Sequence, residues 1–189
     1  PGVKLAPAGI TLQELVDEFC GGMLDVHNLY AYLPGGASGG IFPASLANVP
    51  LDFDTLQLHG GFIGSASVIV LSQHDKARDA ALNMMRFFAH ESCGQCSPCR
   101  EGTGWLEKLL HKIETGKGAI KDIDLLWDVQ RRIEGNTICP LGDAAAWPVA
   151  AAIRHFRDEF EWHVNNPELC LRENYGLAHY ADELKVDAV

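Results

Sequence analysis

Basic residues are scarce in this chain of 189 residues: 15 Lys and Arg stand against 25 Asp and Glu, a formal net charge of -10. A nucleic-acid backbone is gripped by a basic surface that releases its counterions, so this balance excludes nucleic acid as a partner. The local basic groups, Arg131-Arg132 and Arg154 to Arg157, are read as solvated helix faces. Long apolar runs are missing too. The longest, Ala144 to Ile153, falls well short of the roughly 20 residues that span a bilayer as a helix, so no membrane span is expected. The chain opens on Pro1 with no signal-peptide or transit pattern, and the expectation is a part of a longer polypeptide. Several catalytic signatures are absent. The glycine-rich stretch Pro34 to Gly40 has neither the G-x-G-x-x-G order nor a Walker lysine, and Pro43 stands where a nucleotide-binding helix would begin. His90-Glu91 lacks the second His of a zinc protease, and Ser, His and Asp residues are scattered without a nucleophile elbow. The chain by itself is therefore read as non-catalytic.

What is present is an uneven distribution of six cysteines. Cys93, Cys96 and Cys99 form a C-x2-C-x2-C run, and Cys139 stands alone before Pro140. A triplet plus a remote Cys-Pro is the spacing that wraps four thiolates around a 4Fe-4S cluster. Zinc sites more often use cysteines in pairs, closed as a tetrahedron, and a zinc-stabilised interaction module is the competing reading, with unliganded thiols a third. With a cysteine on every corner, a cluster keeps no iron open for substrate, which favours electron relay over Lewis-acid chemistry. Gly94, Ser97 and Gly102 are expected to let the backbone curl so that amides point at sulfur, and Arg100 sets a positive charge beside the set. Cys20 and Cys170 are left over and read as small, half-buried hydrophobes. Cysteines in ligand spacing without an export signal fit a reducing compartment.

Taken in order, the chain divides near Gln73. Thr11 and Glu14 form a capping box, which predicts a helix through Phe19 that Gly21-Gly22 ends. Asn28 to Leu33 alternates as a strand, with Leu29, Ala31 and Leu33 opposite Tyr30 and Tyr32, and Leu51 to Leu58 and Ser67 to Leu71 are expected as further strands. Beyond Gln73 the apolar period becomes helical. Helices are predicted from Asp75 as cap, over Glu101 to Ile113, from Asp122 or Asp124 to Gly135, and from Asp143 with Pro148 in the first turn. The fold class is α+β: a small unit over residues 1–73, a four-helix bundle over 74–164, and a polar tail over 165–189.

Three stretches together carry a resemblance. Glu91 to Gly102, Ile138-Cys-Pro-Leu-Gly-Asp-Ala-Ala-Ala-Trp-Pro148 and Arg154-His-Phe-Arg157 resemble the C-terminal half of the NADH-binding flavoprotein subunit of respiratory complex I and its soluble relatives. Tyr32 to Pro43 and Pro50 to Asp54 look like the ubiquitin-like, soluble-ligand-binding β-grasp domain that precedes the cluster domain in that family. The Gly39-Gly40-Ile-Phe form of the loop looks closest to the β subunit of soluble NAD-dependent formate dehydrogenases, with complex I or an NAD-reducing hydrogenase as the alternative owner. The resemblance implies that Cys93, Cys96, Cys99 and Cys139 hold a 4Fe-4S cluster. It implies that FMN and NAD(H) bind in an N-terminal domain of the parent subunit and not in these residues. The partners implied are other subunits of a dehydrogenase complex, including a small 2Fe-2S subunit and a larger iron-sulfur or substrate subunit. The implied location is cytoplasmic, soluble or peripheral on a membrane complex.

Overall fold

The computed structural model describes residues 2–167; the expectations for Cys170 and for most of the tail lie outside them. Chain order is α1 (Leu12–Glu14, continued as a π turn Leu15–Phe19), β1 (Leu29–Leu33), β2 (Phe42–Pro43), a 3-10 turn (Ala44–Leu46), α2 (Thr55–Leu58), β3 (Ile69–Ser72), α3 (Ala77–Glu91), α4 (Ser97–Lys112, with a π turn Ile113–Lys117), α5 (Ile120–Ile133) and α6 (Leu141–Asn165). The mixture of a small sheet and helices bears out the α+β class.

Three strands pair antiparallel in the order β2-β1-β3, with Tyr32 opposite Phe42 and Leu33 opposite Ile69. The capping box forms as expected: the Thr11 amide donates to Glu14 and the Glu14 amide to the Thr11 hydroxyl. Along β1 the expected alternation holds from Ala31 to Leu33 but breaks at a bulge between Leu29 and Ala31, so that Tyr30 sides with Ala31 and Leu33, Leu29 sides with Tyr32, and both faces are buried. Ala31 and Leu33 join a core built mainly by α3 to α6, while Tyr32 packs with Leu12, Val16, Phe42 and Leu56 in a second core. The Tyr32 hydroxyl reaches the Leu46 carbonyl at 2.9 Å, which satisfies its one polar group inside that apolar setting.

Leu51 to Leu58 is not a strand. The Asp52 carboxylate accepts from the Thr55 amide and hydroxyl at 2.6 and 2.8 Å, a turn that launches the short helix α2. The glycine-rich loop after β1 serves close backbone packing. A Cβ on Gly35 would lie 2.5 Å from the Ile63 backbone, and the Phe62 amide donates to the Gly39 carbonyl at 3.2 Å.

In the bundle α6 packs on α3, α4 and α5, and α4 packs between α3 and α5. Four helix starts differ from expectation. α5 begins at Ile120, two residues before Asp122, whose carboxylate accepts from the Ala119 amide at 2.7 Å. Asp75 accepts from the Ser72 amide and hydroxyl, so it closes the turn before α3 instead of capping the helix. α4 begins at Ser97, with Pro98 in its first turn, where a missing N–H costs nothing. α6 begins at Leu141, and Pro148 is buried well inside it. Gly102 is a helix-contact residue, not part of the loop: a Cβ there would meet the Ile133 side chain at 2.6 Å, so its absence sets the α4-α5 spacing.

At the end of the bundle away from the cysteines, Arg78 is 3% exposed and lies 3.4 Å from Glu114 and 3.8 Å from Glu159. Glu159 also accepts from the Tyr30 hydroxyl, which in turn accepts from the Ala77 amide, tying β1 to α3 and α6. Burial pushes the Glu114 carboxyl from 4.5 up to about 7, against the pull of Arg78.

This packing is testable at two points. Between about pH 4.5 and 7 the folded chain holds the Glu114 proton that the unfolded chain has released, so this residue's contribution to stability falls as pH rises through that window. Urea unfolding of wild type and Glu114→Gln from pH 5.5 to 8 should show the wild type losing ground steadily against the variant; a pH-independent difference would refute it. Gly102→Ala should cost about 1 to 3 kcal/mol by overpacking. Adding Ile133→Ala should recover part of that loss, which a double-mutant cycle reads as coupling.

Candidate metal centre

Three chain segments meet at one end of the bundle: the link from α3 to α4, the first turn of α4, and the loop from α5 to α6. Cys93 lies in the link and is exposed. Cys96 is the residue preceding α4, in extended conformation, and is half-buried. Cys99 sits in the first helical turn and is buried. Cys139 is exposed in the α5-α6 loop. That loop is brought to the triplet by the Ile138 amide, which donates to the Cys96 sulfur at 3.5 Å.

The link owes its shape to three local features. Ser92 ends α3 in extended conformation, and Gly94 follows at φ +77, where only glycine is unstrained. Arg100 reaches back from α4: Nη1 donates to the Gly94 carbonyl at 2.9 Å, Nη2 to Ser97 Oγ at 3.4 Å, and Nε to Glu101 at 2.8 Å. The guanidinium thus clips the link to the helix it precedes. Ser92 Oγ stands 3.2 Å from the Cys99 sulfur, a hydroxyl able to donate to a thiolate.

The other loop is held from α6. Gly135 donates its amide to Asp143 at 2.7 Å, the Trp147 indole donates to Glu134 at 2.8 Å, and the Thr137 hydroxyl donates to the Cys139 carbonyl at 2.9 Å. Gly142 leaves room for Thr137, which a Cβ would meet at 2.5 Å. Asp143, expected as a helix cap, instead anchors the loop before it. His90 is exposed and turned to Glu91 at 3.1 Å.

Among the described residues no three His, Cys, Asp or Glu side chains close around a point that would hold one metal ion. Four thiolates on a single zinc, each at about 2.3 Å, sit within about 4 Å of one another. In a cubic cluster each binds a different iron, which takes a wider set. The donor chemistry fits such a cluster: four thiols and no carboxylate or imidazole among them, with an amide and a hydroxyl aimed at two of the sulfurs. Cys20 is exposed, not half-buried as expected, because it lies just past the α1 π turn, where Gly21 and Gly22 turn the chain outward. No helix among the described residues is long and apolar enough to cross a membrane.

Residues 79–163 match the family described as the NADH-ubiquinone oxidoreductase-F iron-sulfur binding region. The NADH-quinone oxidoreductase-F protein of Rickettsia typhi is 45% identical over 159 residues, covering 84% of this chain and 38% of the relative. The mitochondrial NADH dehydrogenase (ubiquinone) flavoprotein 1 of Dictyostelium discoideum is 47% identical over 154 residues, 80% of this chain and 32% of the relative. The crystal structure of an NAD+-reducing NiFe-hydrogenase in its hydrogen-reduced state superposes with a TM-score of 0.74 at 30% identity, over 84% of this chain and 26% of that one. The chain therefore spans between a quarter and two fifths of the proteins it matches. These names support the alternative, complex I or an NAD-reducing hydrogenase, better than the formate dehydrogenase reading, which rests on Gly39 to Phe42 alone. The cysteine-bearing bundle, with its triplet and remote Cys-Pro, thus matches the iron-sulfur binding region of the NADH-ubiquinone oxidoreductase-F family, whose cluster is of the 4Fe-4S type.

Proposed function

We propose that Cys93, Cys96, Cys99 and Cys139 together ligate one 4Fe-4S cluster, and that the chain relays electrons in an NAD(H)-linked oxidoreductase of the complex I or NAD-reducing hydrogenase kind. The observation that carries this is the Ile138 amide on the Cys96 sulfur, since it joins the fourth cysteine's loop to the triplet across more than forty residues of chain. When bound, the cluster supplies a one-electron carrier. The protein's own part is to hold the thiols and set their electrostatics. The Ile138 amide and the Ser92 hydroxyl stabilise negative charge on sulfur, and the Arg100 guanidinium adds a fixed positive charge where it clips the link. Each of these favours the reduced, more negative state.

Residues 1–73 are proposed as a β-grasp-like unit and 74–164 as the cluster-bearing bundle. The helix Leu12–Phe19 packed on the Tyr32 and Phe42 side of the sheet supports the first, and the common core of α3 to α6 supports the second. FMN and NAD(H) are assigned to the larger parent, whose other subunits, including a small 2Fe-2S subunit and a larger iron-sulfur or substrate subunit, would receive the electrons. Ile138, 89% exposed beside Cys139, offers such a neighbour an apolar contact. A cytoplasmic setting, free or on the face of a membrane complex, suits thiols that must stay reduced.

Anaerobically prepared chain should hold about four iron and four sulfide; one zinc and no sulfide would select the zinc reading instead. Cys139→Ala should lower the melting midpoint of the iron-loaded chain by at least about 4 °C, since a ligand that ties α6 to α4 couples metal binding to folding. An unchanged midpoint would contradict it. In an anaerobic titration dithionite should bleach the cluster while NADH leaves it oxidised, because without flavin a hydride is not divided into single electrons. Rapid bleaching by NADH alone would place a flavin or nucleotide site within these residues.

A further inference from the structure

Beyond the cysteines, a cleft of about 620 Å³ opens between the turn Gly60–Phe62 and the facing sides of α5 and α6. Its walls are aromatic: Trp147 meets Phe62 edge to face at 4.7 Å, and Trp127 lines the same space. Two guanidiniums, Arg131 and Arg154, also line it. Arg132 and Arg157, their neighbours on the same helices, are paired with Asp128 and with Asp124 and Glu161. Among the described residues neither Arg131 nor Arg154 has an ion pair, and the cleft's one carboxylate, Glu134, already accepts from the Trp147 indole. Two unpaired guanidiniums on one face of a protein of net charge -10 are a local reversal of sign.

Two further observations mark a built site. Gln130 lines the cleft at 1% exposure with its Oε1 closed to solvent, so this part of the wall is fixed by packing. Arg154 is positioned by Gly60, whose φ of +84 and missing side chain let the guanidinium lie against the backbone; a Cβ there would sit 1.9 Å from Nη1. The head group therefore rests at the cleft wall and does not trail in solvent.

We propose that this cleft binds a small aromatic anion: a planar ring between Trp127 and the Phe62–Trp147 pair, and a carboxylate or phosphate on Arg131 and Arg154. The site is independent of the cysteines and of the relay assigned to them.

Titration calorimetry on the full 189-residue chain tests it with 4-hydroxybenzoate and adenosine monophosphate as aromatic anions, methyl 4-hydroxybenzoate as the uncharged counterpart, and inorganic phosphate as the anion without a ring. At least one aromatic anion should bind once per chain and weaken with added salt, while the ester and phosphate bind at least about tenfold more weakly. Arg131→Met and Arg154→Met should each weaken the aromatic anion about tenfold. Both residues are exposed, so the fold should be kept, and the ester comparison on wild type needs no variant. Absence of saturable binding up to about 10 mM, equal binding of the ester, phosphate binding as tight as the aromatic anions, or undiminished binding in both variants would each overturn the proposal.

Discussion

The burial of α6 is the constraint on which the other elements depend. Its inward face, from Ala145 through Val149, Ile153 and Phe156 to Phe160, is almost closed to solvent and contributes to the larger core along its whole length. The small residues Ala145, Ala146, Ala150, Ala151 and Ala152 let neighbouring elements approach closely, and a Cβ on Gly40 would lie 3.4 Å from the Ala151 methyl. From this one helix come the anchors of the Cys139 loop, the carboxylate that meets Arg78 and Tyr30, and the guanidinium laid over Gly60. Displacing α6 would disturb both cores at once, because β1 lies between them.

The polar interactions are distributed unevenly along the bundle. At the cysteine end they fasten loops to helix ends, made by Asp143 and Trp147 of α6 and Arg100 of α4. At the opposite end the buried Arg78 guanidinium faces two carboxylates among the described residues, and removing one partner of such a group is far more damaging than breaking a surface pair. The candidate cysteines thus lie mostly on exposed loops, with Cys99 alone buried in the first turn of α4, while the far end is fixed by polar groups shielded from solvent.

Much of this is legible in the sequence. Helical spacing locates α3 to α6, and the Thr11-Glu14 box locates the first helix. The cysteine spacing proposes a ligand set without any geometry. The start of α4 is harder to place, although Pro98 is a good first-turn residue, because a run of cysteines in ligand spacing reads as loop throughout. Leu51 to Leu58 misleads because its apolar residues suit a buried strand as well as a turn and short helix, and only the Asp52 hydrogen bonds decide between them. Gly102 invites a reading as backbone curvature, whereas the space of its missing side chain is filled by Ile133, thirty-one residues away. Such long-range contacts leave no local signal. The same holds for Arg154 on Gly60 and for Gln130, ordinary surface types by composition, whose burial and neighbours emerge only once α5, α6 and the Gly60 turn are placed together.

The separation of the cysteine loops along the chain bears on how the protein is made. Cys99 leaves the ribosome forty residues before Cys139, with α4 and α5 between them. At synthesis rates of roughly 5 to 20 residues per second, three thiols wait about 2 to 8 s for the fourth. During that interval the Ile138 amide is also missing from Cys96, and Ile133 has yet to pack on Gly102, in the same helix as Cys99. On the proposed ligation by all four cysteines, nascent chains therefore pass through a stage in which the triplet is open to oxidation or to a stray metal, and timely delivery of iron and sulfide matters most just after α6 begins to emerge.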